Sequence, residues 1–382
     1  MRRTVVAGFI PLVDAAVLVA ARECGFARDR GIELSLVRQP SWALLRDHLN
    51  LRHLDCAHAL APLPIASRLG LGQIESSLCA PFVLSRGGNA ISVTRALAGA
   101  MRSAAEGSIA GPERSARALA RVISSRQRPV TFGMVYPFSG HNFELRYWLA
   151  LANIDPDNDV RIVSVPPPMM VESMEAGYID GFCVGEPWNS VAVCEGVGEI
   201  VVTKSEIFPA GIEKVLAMHE SSLSDSAASV DLLGSLLAAA EWCDSPQNKV
   251  KLAEILSQPE YLDIDPTLIL NALTGRLPTE REGDDADFLY FYRRDANRPS
   301  ENEALWLYAQ MRRWRLVAGN GGQEESVRSV FRAELYDQLM DDTASAESPP
   351  DNRIVNRPNV VRSCDSINYD GEPIDEYLGR FA

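Results

Sequence analysis

Residues 4–61, TVVAGFIPLVDAAVLVAARECGFARDRGIELSLVRQPSWALLRDHLNLRHLDCAHALA, decide the fold. Residues 4–9 form a short apolar run rich in β-branched side chains, which predicts a strand. Asp14 can cap a helix running to about Glu23, and Gly25 ends it. Residues 32–37 predict a second strand, Ser41 can cap a helix over 42–50, and 56–61 predict a short buried strand. Strand and helix signals alternate, which is the mark of an open sheet covered by helices.

Working outward, segments 82–84 and 91–93 flank the glycine-rich turn Arg86-Gly87-Gly88-Asn89. A weaker helical zone spans about 103–125. A second α/β unit then opens with a strand at 130–134 and a helix from Ser139 or Gly140 to Ala152. Another strand at 160–165, a helix at 168–176 and a strand at 181–185 complete it. The tetrapeptides Leu54-Asp55-Cys56-Ala57 and Ile179-Asp180-Gly181-Phe182 echo each other, each following a short helix and a turn. With the alternation around it, this echo predicts two similar α/β lobes. Beyond residue 200 the pattern turns mainly helical and is expected to buttress the first lobe. Residues 341–352 read as a solvated connector, and the tail after them is expected to run across the surface.

Several function classes are excluded. There is no Gly-x-Gly-x-x-Gly fingerprint, no phosphate-binding Gly-Lys-Ser/Thr loop and no Gly-x-Ser-x-Gly elbow, so neither a cofactor nor an enzymatic activity is expected. A net charge of −14 argues against a broad nucleic-acid footprint. Seven cysteines stand singly, without metal-knuckle spacing. His53 and His58 lie near Cys56 but lack a partner cluster, so no metal site is expected. Pro11 and Asp14 break the apolar start and Cys24 follows Arg22-Glu23, so no secretory leader is read and a cytoplasmic location is expected.

What remains is a set of residues at strand–helix junctions, where open sheets bind ligands. Trp42 begins a helix and can wall a small planar anion beside free backbone donors. Gly88 allows close backbone approach, and the Asn89 amide can donate to an oxyanion. His141 sits near a helix start just after Gly140, and Lys214 begins an apolar strand where its ammonium can counter a buried anion. Glu186 and Trp188, between a strand and a helix, are expected to position the hinge.

The segments GFIPLVD (8–14), SWALLRD (41–47), ALAPLP (59–64), GHNFELRYWLA (140–150) and GFCVGEPWN (181–189) together resemble the NrtA/CmpA-like nitrate- and bicarbonate-binding proteins of ABC importers. The resemblance implies a two-lobed, type 2 periplasmic-binding-protein-like fold. It places the first lobe in 1–93 and 200–340, the second in 94–199, and a connector and tail in 341–382. It implies a pocket of Trp42, Asn89, His141 and Lys214, with Asn89 standing nearest to a family glutamine. Retention of Lys214 favours nitrate or nitrite over bicarbonate. Joined to the expected cytoplasmic location, the resemblance narrows to the NasS-type nitrate/nitrite sensors. Those imply a partner, a NasT-like ANTAR-domain antiterminator released on ligand binding, with no direct nucleic-acid contact and no membrane. The alternative is the substrate-binding component of a nitrate or bicarbonate importer.

Overall fold

The computed structural model describes residues 3–72, 74–105, 107–224, 226–280, 283–318, 321–344 and 360–381. Eleven strands among them fall into two sheets. The strands are β1 (Arg3–Phe9), β2 (Ile32–Arg38), β3 (Cys56–Leu60), β4 (Leu78–Gly87), β5 (Asn89–Thr94), β6 (Val130–Met134), β7 (Val160–Ser164), β8 (Gly181–Gly185), β9 (Gly198–Thr203), β10 (Ile212–His219) and β11 (Leu289–Tyr290). The first sheet has the order β11-β4-β10-β3-β1-β2 and the second β7-β6-β8-β5-β9. Each pairs its outer strands in parallel, β2-β1-β3 and β7-β6-β8, then turns antiparallel at β10 and at β5. The architecture is the two-lobed α/β form expected.

The echoed tetrapeptides occupy the same place in the two sheets, at the start of β3 and of β8, and their aspartates do the same work. The Asp55 carboxylate accepts from Val6 N at 2.8 Å while its own N–H donates to the Val6 carbonyl at 2.9 Å. Asp180 repeats this with Thr131, at 2.9 and 2.7 Å. Each aspartate thus fixes the register of a central strand against its neighbour, supplying the acceptor that the ladder lacks at its start.

The chain passes between lobes twice. The first passage is the turn at Gly88, between β4 and β5, where Gly87 and Gly88 have φ of +72° and +88°. A side chain at Gly87 would put Cβ 2.0 Å from the Phe288 carbonyl oxygen, so this passage needs glycine for conformation and for space. The second passage is the segment 204–211, between β9 and β10.

On its outer face the first sheet packs against the helices Ala16–Glu23, Ser226–Asp244 and Lys249–Leu256 through Val17, Leu18, Leu236 and Leu252. Its other face joins a core that continues into the second lobe. No helix among the described residues is long and apolar enough to cross a membrane.

Three expectations need correction. The helical zone at 103–125 is two helices, Arg95–Ala105 and Pro112–Ser125, separated around Gly111 with φ of +91°. Asp14 makes no side-chain cap to the helix that follows it; it is buried and bound elsewhere, as described below. Finally, much of the connector lies outside the described residues, but 360–381 does more than cross the surface. Tyr369, Ile374 and Tyr377 are buried, and Tyr377 Oη accepts from Trp306 Nε1 at 3.1 Å and from Gln310 Nε2 at 3.3 Å. Sparse apolar periodicity hid this because three large side chains suffice to anchor a short segment.

Candidate functional site in the interlobe cleft

Trp42, His141 and Lys214 converge between the lobes, and all three are fully enclosed. Each is placed by local chemistry. Trp42 opens the helix Trp42–Asn50, whose start is fixed by Ser41 Oγ accepting from Leu44 N. His141 is the second residue of the helix Gly140–Ala150, where Ser139 Oγ accepts from Asn142 N and donates to the Tyr136 carbonyl at 2.6 Å. Lys214 lies near the start of β10, opposite Leu60 of β3. Its ammonium sits 5.5 Å from the centre of the Trp42 ring.

Five further ionisable groups close around these three. Lys214 Nζ contacts Asp14 Oδ2 at 2.7 Å and Glu213 Oε1 at 2.8 Å, with all three side chains enclosed. Asp14 Oδ1 bonds His58 Nε2 at 2.9 Å, and the His58 ring lies 5.7 Å from that of Trp42. Lys204, at the start of the second passage, bridges the lobes: it binds Glu213 of β10 and, at 2.7 Å, Glu144 of the 140–150 helix. His141 Nδ1 stands 3.7 Å from Glu213 Oε1, close enough for charge attraction but too long for a hydrogen bond.

Burial opposes ionisation throughout, and proximity decides which groups resist it. Burial pushes the Asp14 and Glu213 carboxyls up, but the lysines outweigh it and both end below the usual range, Glu213 well below. Burial wins at Glu144, which is raised although Lys204 pulls it down. The lysines, which burial alone would lower, are raised by the carboxylates they touch. Burial takes His141 down to about 3 against the pull of Glu213, and lowers His58 against that of Asp14. Two ammonium groups therefore face two firmly ionised carboxylates, with both imidazoles neutral.

Unmatched donors remain. Trp42 Nε1 and both ring nitrogens of His141 have no hydrogen-bond partner among the described residues. Lys214 has committed two of its three N–H groups. The arrangement gathers an indole N–H, an imidazole and an ammonium, the groups that would meet an acceptor, in one enclosed region.

The other expected residues divide. Gly140 is required where it stands, because a Cβ there would lie 2.5 Å from Glu213 Oε2. Asn89 is enclosed, but its amide donates to both oxygens of Glu144, at 3.1 and 3.0 Å, leaving Oδ1 unpartnered. As placed, its amide nitrogen is thus engaged with protein rather than free for a ligand. Glu186 lends its carbonyl to Val13 N across the cleft at 2.8 Å, while its carboxyl, raised to about 7 by burial, accepts from Ser190 N. Gly88 accepts from Glu186 N at 3.0 Å. Trp188 is buried nearby in sequence, at the start of the helix Trp188–Cys194. Sequence reading missed Asp14, Glu144, Lys204 and Glu213 as site residues.

The cleft is shut by its own contacts. Arg46 Nη1, from the first lobe, donates to Tyr136 Oη of the second at 2.8 Å. Two surface hollows lie elsewhere, one beside Arg102 and Glu280 and one of about 610 Å³ beside Asp155 and Arg313, and neither includes Trp42, His141 or Lys214. Trp42, His141 and Lys214 have no solvent exposure in this arrangement.

Comparison with known proteins bears on this geometry. Residues 2–257 match the NMT1-like family. The chain is 37% identical over 338 residues to the nitrate import ATP-binding protein NrtC of Synechocystis sp., covering 86% of this chain and 48% of that protein. It is also 37% identical over 336 residues to the bicarbonate transport ATP-binding protein CmpC of the same organism, with the same two coverages. It therefore spans about half the length of these relatives. The crystal structure of the periplasmic nitrate-binding protein NrtA from Synechocystis PCC 6803 superposes with a TM-score of 0.90 at 26% identity, covering 100% of this chain and 99% of that one. The fold is thus that of a solved periplasmic nitrate-binding protein.

These matches overturn the expected cytoplasmic sensor. The similarity is to importer components, one of them explicitly periplasmic. The cytoplasmic location, the NasS-type assignment, the NasT-like antiterminator partner and the absence of a membrane system are all withdrawn. They rested on reading no leader at the chain start, and that reading carries no information about what a two-lobed cleft binds or serves. The chain belongs to the NMT1-like family, within the NrtA/CmpA-like group of nitrate- and bicarbonate-binding proteins of ABC importers.

Proposed function

We propose that this chain is the extracytoplasmic substrate-binding component of an ABC importer for nitrate or bicarbonate, with nitrate the better fit. It closes on the anion between its lobes and presents the closed form to membrane permease and ATPase partners. The observation that carries this reading is the enclosure of Trp42, His141 and Lys214 around unmatched N–H donors. Nitrate and nitrite offer only acceptors, and an indole N–H, an imidazole N–H and an ammonium are donors. Two flanking carboxylates do not repel the anion outright, because each already faces a lysine. Calorimetric titration with nitrate, nitrite, bicarbonate and chloride at matched ionic strength tests the assignment. Saturable heat with nitrate and none with chloride is expected; heat with bicarbonate alone moves the assignment to bicarbonate, and heat with none of the four sinks it.

A further inference from the structure

Resting on the nitrate reading above, we infer that the site takes up its acceptor-only anion together with one proton from solvent, which lodges on the His141 ring. Donor count and charge both require that proton.

A neutral imidazole carries a single N–H. Nδ1 of His141 faces Glu213 Oε1 at 3.7 Å, and neither ring nitrogen has a hydrogen-bond partner among the described residues. If the proton sits on Nδ1, toward Glu213, then Nε2 is a bare lone pair and cannot serve nitrate. If it sits on Nε2, the Nδ1 lone pair is set against a carboxylate. Nitrate has only lone pairs, so each neutral tautomer leaves one ring lone pair directed at an acceptor. The imidazolium, with two N–H groups, satisfies both sides.

Charge leads to the same place. The groups around the ring are Glu213 and Lys214 from β10, Asp14 from the turn after β1, Lys204 from the second passage, and Glu144 on its own helix. Against Lys204 and Lys214 stand three carboxyls, Asp14, Glu213 and Glu144, the last raised by burial although Lys204 and the Asn89 amide both bond it. A monovalent anion adds a further buried negative charge to this set, which is strongly unfavourable. One proton offsets it. Burial holds the His141 ring far below its ordinary value, at about 3, so it is a negative charge seated against the ring that draws the proton in. Bicarbonate differs, because its own O–H can donate to a neutral ring nitrogen and no solvent proton is required.

Isothermal titration calorimetry of nitrate at pH 8, in phosphate and in Tris, reads the proton directly as the dependence of apparent enthalpy on buffer ionisation enthalpy. About one proton taken up per nitrate is expected, with affinity weakening roughly tenfold per pH unit above neutrality. Bicarbonate, if it binds, should show a dependence near zero. His141→Gln, which keeps a donor and an acceptor but does not titrate, should bind nitrate more weakly and without buffer dependence. Nitrate binding with no buffer dependence in the wild-type protein overturns proton uptake and leaves the nitrate reading standing. A buffer dependence that persists in His141→Gln overturns the placement of the proton on that ring. If nitrate gives no heat in either buffer, the nitrate reading falls and this inference with it.

Discussion

Lys214 holds two roles that pull in different directions. It offers one N–H to a ligand, and it neutralises Asp14 and Glu213 in an enclosed space. Removing one partner of such a set is strongly destabilising, roughly 3–5 kcal/mol, so Lys214→Met should lose stability as well as anion affinity. In the wild-type protein Asp14 and Glu213 ionise below their ordinary values. Their contribution to stability is thus present above the unfolded carboxyl range near pH 4 and is lost as pH falls through the lowered native values. Without Lys214 the sign reverses at Asp14, which loses its only lysine, while Glu213 keeps Lys204, and the variant should regain stability relative to wild type as Asp14 protonates. Chemical denaturation of both proteins at pH 7 and pH 4.5 checks this; an equal gap at the two values would mean that charge is not the cause. Trp42→Phe keeps the apolar wall and loses one N–H, and a calorimetric loss of affinity smaller than tenfold is expected.

This scale also shows what the sequence could and could not disclose about the site. Trp42, His141 and Lys214 each lie at a strand–helix junction or strand start, and that position is readable from local pattern. Asp14, Glu144, Lys204 and Glu213 become a set only when β1, β10, the 140–150 helix and the second passage meet. Asp14, Glu144 and Lys204 stand tens of residues apart, and the nine-residue separation of Lys204 and Glu213 matches no local pattern. Asp14 had an alternative local reading as a helix cap, which fitted the pattern and was not the one realised.

Among the elements, the aspartates at the starts of β3 and β8 are the clearest case of sequence announcing architecture. The echo between 54–57 and 179–182 pointed to duplicated lobes, and the reason is physical: each aspartate satisfies one N–H of the adjacent strand. Asp180 is buried and also meets Arg126 and Arg128, whereas Asp55 is exposed. Asp180→Ala should therefore cost about 1–3 kcal/mol, by the desolvation of an unmatched donor, and Asp55→Ala distinctly less because water can replace the lost acceptor. Urea melts of the two variants measure the difference, and equal losses would argue against burial as the cause. The break between the helices Arg95–Ala105 and Pro112–Ser125 was missed because the pattern around 103–125 was treated as one zone despite Gly111 and Pro112. Arg46–Tyr136 is a latch of another kind, since it joins the lobes without touching the enclosed residues. Arg46→Met should weaken anion binding by about threefold to tenfold, the worth of one hydrogen bond, through a lower population of the closed form. An unchanged affinity would show that the latch does not bias closure.

At the scale of the whole molecule, two passages and one tail govern how the lobes meet. The chain crosses between the lobes at Gly88 and at 204–211, and Lys204 at the second crossing bonds Glu144 in one lobe and Glu213 in the other. The tail segment 360–381 reaches the second lobe through Asp365, which accepts from Tyr147 Oη at 2.7 Å, and the first through Tyr377. Its Cys364 N–H also meets the Ile207 carbonyl within the second passage, at 2.9 Å. The central claim is that a planar anion lies enclosed between those lobes. A crystal structure of the protein grown in nitrate, compared with one grown in chloride, tests it most directly. Flat density over the Trp42 indole, within hydrogen-bonding distance of the His141 ring and of Lys214 Nζ, is the expected result. Nitrate bound anywhere else, with the space between Trp42, His141 and Lys214 unchanged from the chloride form, would contradict the account.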